Sequence, residues 1–568
     1  MRENIPAGLR TRDIFLSLFF LAFVSITAHL LFSWRGFNLT DNGYIMAYSR
    51  RILNGQIPHR DFIYICPAGS PFLHTPSVFF GGNYAFWLSR LFVWFQFASI
   101  AWAWIYIIDK FLGGVFNRAE KFSFGLIGFA LSAHNFPIMS WTTIDGLFLA
   151  SAGIAFCASK LQNLKFLGYL LLGSSYLCRQ SFLPPAFFSI FILGDWRRQR
   201  FWLALGLPGV IYTVYLYLNG ALPDAILQIA GMQTDWETPG IIKYIVNKKT
   251  ILAGMLCGLL GLSLISGKLK VAIFEGRNNA RRLAGVIAAY FPVLAMAVAL
   301  GLGRRIMSCS YALFGAALGV LLYIIIEAKK QPEAIRVGAL VLLATWCASI
   351  SVLYTFPGIA SGLPALFLIG YVQLLNVDIS KNSPLRKALI ICQILLVAIT
   401  VVNFGITRIR YDQLIYGTGP TESKYPLGGL FPGANMIKAD FNTYQLLSDL
   451  KEAIDKAEGS NYIIVPDFAA WWVKSKKENI LPVEWIGTYG PYFTKNSELR
   501  NRAIETLKAN RADTIVIVHR VKTTFSNGFT FLAEEDYGDT ITPYVFRNFK
   551  MIGNTRFFEL YKQEKEMA

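Results

Sequence analysis

Thr40 to Gly69 reads TDNGYIMAYSRRILNGQIPHRDFIYICPAG and lies directly after the first long apolar run of the chain. It holds two carboxylates (Asp41, Asp61), three arginines (Arg50, Arg51, Arg60) and one histidine (His59), while the sequence around it is mostly apolar. Ionisable groups beside a lipid phase are costly, so such a cluster marks a functional site centred on Asp41. The stretch also predicts its own local structure. Asp41 caps a helix that begins near Asn42. Ile45, Tyr48 and Ile52, at i, i+3 and i+7, give that helix one apolar face. Asn54-Gly55 stops it. Pro58 then holds the chain extended, and Pro67-Ala68-Gly69 turns it back. The expected picture is a short helix in the membrane interface, with Arg60-Asp61 on the returning side. An ordinary solvated loop with a capping aspartate is the competing picture.

The composition says what surrounds this loop. At 568 residues, 54% hydrophobic and 16% charged, the chain is not that of a soluble protein. Repeated runs of roughly 20 apolar residues predict transmembrane helices. A net charge of +19 would suit a nucleic-acid binder. Lys and Arg fall mainly between alternate spans, however, as the positive-inside rule demands, and no nucleic-acid partner is expected. Seven cysteines are scattered without CxxC or Cys/His spacing and point to neither metal nor redox chemistry. The run Ile14–Phe32 is too long for a signal-peptide core, and no small-residue cleavage site follows it, so it is expected to be retained as a first span.

Working outward, Arg2, Arg10 and Arg12 place the N-terminus in the cytoplasm and the Thr40–Gly69 loop outside. Ser70–Tyr84, rich in Pro and Gly, is expected to continue along the interface. Further spans follow at about Phe86–Ile108, Phe122–Met139, up to Lys160, Leu164–Leu177, up to Leu193, up to Leu218, Thr250–Ile265, Leu283–Leu302, from Tyr311, up to Tyr354, before Lys381, and Ala388–Ile406. The total is about thirteen, which puts the C-terminus outside. From Thr407 the composition changes. Phe441–Ala457 and Ser497–Ala509 read as helices, while Tyr462–Val465, Thr514–Val518 and Arg556–Tyr561 read as strands. That order predicts a small α/β domain whose sheet is at least partly parallel. The expected architecture is therefore a polytopic α-helical membrane domain over 1–406, its first outer loop at about 35–85, followed by a soluble extracytoplasmic α/β domain over 407–568.

Basic residues on the outer side are informative because the positive-inside rule disfavours them there. They are Arg35, Arg50, Arg51, Arg60, Arg179, Lys243, Lys248, Lys249, Arg304 and Arg305. Arginine binds phosphate bidentately and keeps its charge at a membrane surface, so Arg304, Arg305, Arg179 and Arg60 are candidates for a lipid phosphate or pyrophosphate. Binding of anionic headgroups, or pairing with acids of the same loops, is the alternative. Asp41, Asp61 and Asp145 are the carboxylates placed to act as general base on a hydroxyl or amine. Partial burial would raise their pKa toward a useful range. Asp145 could instead be a helix cap. His59 and His74 are possible helpers, although a lone interfacial histidine is commonly structural. Asn42 follows Asp41, so no adjacent acidic pair exists and no metal is expected.

The first outer loop resembles that of the GT-C glycosyltransferases, in particular the bacterial branch akin to protein O-mannosyltransferases and to the aminoarabinose transferase of lipid A. The matching residues are Asp41, Gly43, Arg51, Leu53, Gly55, Pro58, His59-Arg60-Asp61-Phe62 and Pro67-Ala68-Gly69. The resemblance is specific over about residues 38–69, looser through the spans and weak in the C-terminal domain. It implies that Asp41 is the catalytic residue of the acidic loop and Asp145 the second acid; Tyr44, Arg51, Arg60, His59 and His74 are the further residues expected on the substrate side. The donor would be a polyprenyl-phosphate-linked sugar, attacked in one inverting displacement by a lipid, glycan or protein acceptor. The membrane would be a bacterial inner membrane. Asn42 stands where many relatives have a second acid, His59 replaces a tyrosine, and Cys66-Pro67-Ala68 replaces a double proline. Two other classes remain. A polysaccharide polymerase or ligase shares many spans and outer arginines but not this loop with an α/β tail. A transporter or flippase would show mid-span charges and repeated halves.

Overall fold

The computed structural model describes residues 7–134, 138–230, 246–269, 272–274, 277–302, 306–327, 331–350, 357–375, 384–410, 423–457, 460–486, 497–510, 513–524, 528–537, 539 and 541–563. Arg304, Arg305 and Lys243 lie outside them. The chain folds as a polytopic helical bundle followed by a C-terminal region with small sheets. Each expected span falls on a helix. The first nine helices are α1 (Ala7–Phe32), α2 (Asp41–Leu53), α3 (Gly69–Gly81), α4 (Ala85–Phe111), α5 (Arg118–Ala133), α6 (Thr142–Cys157), α7 (Gln162–Cys178), α8 (Leu183–Ile192) and α9 (Gln199–Leu218). Among the described residues, nine helical stretches are long and apolar enough to cross a membrane. Helix α8, at 10 residues, is not. It rises only about 15 Å, half of a hydrocarbon core of about 30 Å. The helix Gly362–Leu375 is buried at every position from Gly362 to Val372 and forms the centre of the bundle. In α1, by contrast, Phe15, Leu18, Leu30 and Leu31 are exposed, as suits a lipid-facing helix.

The first outer loop differs from its expected form in two ways. Ser70–Tyr84 is not a strip of interface. It forms α3, which packs against α2 and α4 and joins α4 through a short 3-10 turn at Gly82–Tyr84. Pro71 is tolerated because it falls in the first turn, where a missing N–H costs nothing. Helix α2 is not a surface helix either. Every residue from Asp41 to Ser49 is buried, because the C-terminal domain covers the side that the membrane domain leaves open.

That domain carries two short antiparallel pairs, β1 (Tyr425–Pro426) with β2 (Lys438–Ala439) and β5 (Val521–Thr524) with β6 (Gly528–Phe531), and a four-stranded sheet in the order β3-β4-β8-β7, built from β3 (Asn461–Val465), β4 (Thr514–His519), β7 (Lys550–Asn554) and β8 (Phe558–Lys562). Strands β3 and β4 are parallel, with Tyr462 beside Ile515 and Val465 beside Val518. Strand β8 runs antiparallel to β4 and to β7. The helix Phe441–Lys456 is capped by Asp440, whose carboxylate accepts from the N–H of Thr443 at 3.0 Å. One apolar core runs from this domain into the loop: Phe37, Met46, Ala47, Val78 and Phe86 pack with Leu427, Phe431, Phe468, Trp471 and Trp472.

Candidate functional site

The site is built at the start of α2. Asp41 is the first helical residue rather than the cap, a correction to its expected role; the cap position is Thr40. Two side chains fix the turn. The Asn38 amide oxygen accepts from the N–H of Thr40 at 2.9 Å and of Asp41 at 2.7 Å. The Asn42 amide oxygen accepts from the N–H of Asn38 at 3.3 Å and from Arg90 at 2.8 Å. Arg90, buried near the start of α4, also donates to the carbonyls of Ser33, Arg35 and Gly36 at 2.6–2.9 Å. It thereby holds the frayed end of α1 against the start of α2. The Thr40 hydroxyl donates to the carboxylate of Asp467 at 3.0 Å. Asp41 itself is 5% exposed.

Tyr44, one turn on, lines an aromatic wall. Its ring lies 5.3 Å from Tyr48, 6.3 Å from Tyr64, 6.2 Å from Trp141 and 6.0 Å from Trp485. Trp141 immediately precedes α6 and so ties this wall to the second acid. Asp145, fully buried in the first turn of α6, accepts on Oδ1 from Nε2–H of His74 at 3.0 Å and from the Gln96 amide at 2.7 Å. Among the described residues, Asp145 Oδ2, His74 Nδ1, Gln96 Oε1 and the Tyr64 hydroxyl have no hydrogen-bond partner. Burial pushes the Tyr64 phenol well above its ordinary pKa, so it stays neutral and able to donate. Arg179 sits beside them: it donates to the Thr142 hydroxyl at 3.2 Å and to the Ile350 carbonyl at 2.8 Å. Asp145 is thus joined to His74 of α3, while Arg179, at the end of α7, bonds Thr142 in the same first turn of α6.

The other expected residues form a separate rim. Arg60 and Asp61 pair with each other at 2.8–2.9 Å, and Arg60 also donates to the Asn219 carbonyl. The Arg60 guanidinium holds the Asp61 carboxyl below the usual carboxylate range. His59 is buried in a left-handed backbone conformation (φ 69°). Its Nδ1–H donates to Gln228 and its Nε2 accepts from the Tyr212 hydroxyl, both at 2.9 Å. Burial lowers its pKa to about 4, so it is neutral and shapes the loop. Arg51 is engaged on all three nitrogens. It pairs with buried Glu484 and donates to Gln56 and to the carbonyls of Asn479 and Leu481. This arginine joins α2 to the C-terminal domain. No group of three or more His, Cys, Asp or Glu able to hold a metal ion occurs among the described residues.

Sequence reasoning missed Arg90, Gln96, Asp467 and Glu484. Arg90 and Gln96 carried a signal, since each is a polar side chain inside an apolar run. Asp467 and Glu484 carried little, because their partners lie hundreds of positions away in the chain.

No family model matches the chain, and no curated protein does. Among solved structures it is similar to ArnT from Cupriavidus metallidurans bound to undecaprenyl phosphate, over 99% of this chain and 99% of that one, at 10% identity and a TM-score of 0.45. ArnT from Cupriavidus metallidurans in the apo state aligns over 97% of this chain and 98% of its own, at 10% identity and a TM-score of 0.38. At such identity neither structure assigns a role to any residue here.

Proposed function

We propose that this protein is a GT-C-type membrane glycosyltransferase that moves a sugar from a polyprenyl-phosphate donor to an acceptor on the extracytoplasmic face of a bacterial inner membrane. The N-terminus is cytoplasmic and the C-terminal domain extracytoplasmic. One observation supports this best. The loop that resembles the GT-C acidic loop is buried, with Asp41 at a turn held by Asn38, and Tyr44 packs on Trp141 at the start of α6, the helix that carries Asp145 and receives Arg179 on Thr142.

The chemistry follows from the side chains. Asp41 takes the proton from the acceptor hydroxyl or amine. The acceptor heteroatom bonds to the anomeric carbon as the bond from that carbon to the phosphate oxygen breaks, inverting the centre. The electron pair leaves with the lipid phosphate. Arg179, which donates to Thr142 in the same helical turn as Asp145, stabilises that charge, with Arg60 and the arginines at 304 and 305 as further candidates. His74 and Gln96 fix the rotamer of Asp145, which steers the sugar. Tyr44 and Trp141 supply flat apolar surface for a sugar ring or a prenyl chain. The mechanism invokes no metal. Undecaprenyl phosphate, bound in one of the similar structures, is of the same chemical class as the proposed lipid carrier.

The test is lipid analysis of membranes from cells lacking the protein, complemented with wild type or with Asp41→Asn. A polyprenyl-phosphate sugar that accumulates in the null strain and under Asp41→Asn, together with a glycan one residue short, is the expected result. Full complementation by Asp41→Asn would discard the base role and move a polymerase, ligase or flippase ahead.

A further inference from the structure

Thr40 breaks a local rule. A threonine at a helix cap ordinarily turns its hydroxyl oxygen back to accept from an N–H of the first turn. Here it makes no such bond. Its own backbone is already helical (φ −102°, ψ −64°), the Asn38 side chain accepts from the N–H groups of Thr40 and Asp41, and the Thr40 hydroxyl donates to Asp467 at 3.0 Å. Departures of this kind collect at functional sites.

Asp467 is built into its place. It lies two residues beyond β3, at the carboxyl end of the parallel pair, the edge where open α/β sheets meet their ligands. Its backbone bridges that of Trp485, whose ring faces Tyr44, and the Ile486 N–H donates to the Pro466 carbonyl at 3.1 Å. The following residues are pressed onto α2: the Ala470 N–H donates to the Leu39 carbonyl at 2.9 Å. The backbone around Asp467 is therefore pinned on both sides, and its carboxylate meets Thr40, one residue before Asp41.

Resting on the function proposed above, we infer that Asp467 is a positioning residue of the active site, supplied by the C-terminal domain, which sets the orientation of Asp41 by holding the hydroxyl of Thr40. Burial, reinforced by the neighbouring Asp539 carboxylate, raises its pKa to about 6. Burying an acid at this contact is a standing cost that a passive docking surface does not need. The C-terminal domain thereby becomes part of the catalytic unit, and its docking completes the base.

The experiment uses the full-length protein in detergent and, as donor, the polyprenyl-phosphate sugar extracted from cells carrying Asp41→Asn. Absence of such a pool refutes the transferase function before this inference is reached. With the pool in hand, Thr40→Val and Asp467→Ala are each expected to lower turnover at saturating donor by about 10- to 100-fold, the scale of a displaced catalytic group. Resistance of the C-terminal domain to limited proteolysis should stay at the wild-type level. The double variant should be no slower than the worse single one, because both remove one hydrogen bond. Thr40→Ser and Asp467→Asn, which keep a donor and an acceptor, should restore most of the rate. Wild-type turnover in Asp467→Ala, multiplicative losses in the double variant, or losses that track protease sensitivity would overturn the inference.

Discussion

Gly43 packs directly against the backbone of Ala469 and Ala470, and Gly43→Ala tests whether that approach matters. A Cβ built there would meet Ala470 Cα at 2.0 Å, Ala470 N at 2.1 Å and the Ala469 carbonyl carbon at 2.6 Å. All three are backbone atoms, so no rotamer change relieves the clash. Restoring ordinary contact at about 3.4 Å requires the two backbones to part by about 1.4 Å. The bond from Ala470 N–H to the Leu39 carbonyl, now 2.9 Å, and the bond from Thr40 to Asp467, now 3.0 Å, would both pass out of range. Two lost bonds at about 1 kcal/mol each, with about 1–3 kcal/mol for overpacking, give about 3–5 kcal/mol against docking. A displacement above 1 Å at Asp41, the proposed base, predicts a turnover loss of about 100-fold or more. Turnover and limited proteolysis of the full-length protein, measured side by side, check this: activity should fall and the C-terminal domain should become cleavable. Gly55→Ala is the control. Gly55 has φ +83° and open space around its Cβ position, so the substitution costs only about 1–2 kcal/mol of backbone strain and should leave turnover at the wild-type level. A fully active, protease-resistant Gly43→Ala variant would refute the premise that this approach is obligatory.

Three further outcomes are expected. Arg51→Met leaves Glu484 buried and unpaired and should destabilise the docked domain by about 3–5 kcal/mol, with Glu484→Gln in the same chain recovering more than half; thermal unfolding of both variants measures it. Gln96→Leu removes one of the two donors to Asp145 and should lower turnover about tenfold or more at a stability cost of about 1–3 kcal/mol, whereas unchanged turnover would show that Asp145 needs no such orientation. Asp467, with its pKa raised from 3.8 to about 6, binds its proton more tightly in the folded state, so the stability it contributes is present in acid and is lost as pH rises from about 4 through 6. The stability of wild type relative to Asp467→Asn should therefore fall by an amount on the order of 3 kcal/mol across that window. His59, with its pKa lowered to about 4, acts in the opposite direction but is common to both proteins and cancels; a flat difference would contradict the burial of Asp467.

What could be read from the sequence depended on whether the deciding interactions were local. The spans were legible because twenty apolar residues signal themselves. The parallel pair β3 and β4 was legible from two short apolar runs with a helical stretch between them. Helix α2 was placed within a residue at each end, since its start and stop signals are written in neighbouring positions. Its surroundings were not legible. The amphipathic spacing of Ile45, Tyr48 and Ile52 implied one buried face, yet the polar side is covered too, by residues more than 400 positions later. For the same reason Arg51 looked like a free outer cation, and its partner Glu484 could not be named. Asp145 and His74 were each noticed alone; only the packing of α3, α4 and α6 shows that they share a hydrogen bond with Gln96 as third member.

The two acids of the proposed mechanism are held in different ways, and the difference fits the roles proposed for them. Asp145 has one oxygen committed to two donors deep in the bundle, both from helices that cannot move without repacking the core. Such a carboxylate is suited to hold a fixed direction. Asp41 sits on a turn set in part by the membrane domain, by Asn38 and by Arg90 through Asn42, and in part by the C-terminal domain, by Asp467 through Thr40. A turn assembled from three separate segments can be completed or loosened by the docking of one of them. In the proposed mechanism, proton removal would fall to the acid whose placement depends in part on the C-terminal domain, and orientation of the sugar to the acid that the membrane domain fixes alone. An enzyme arranged this way would bind its lipid-linked donor whether or not the domain is docked, and would transfer the sugar only when it is.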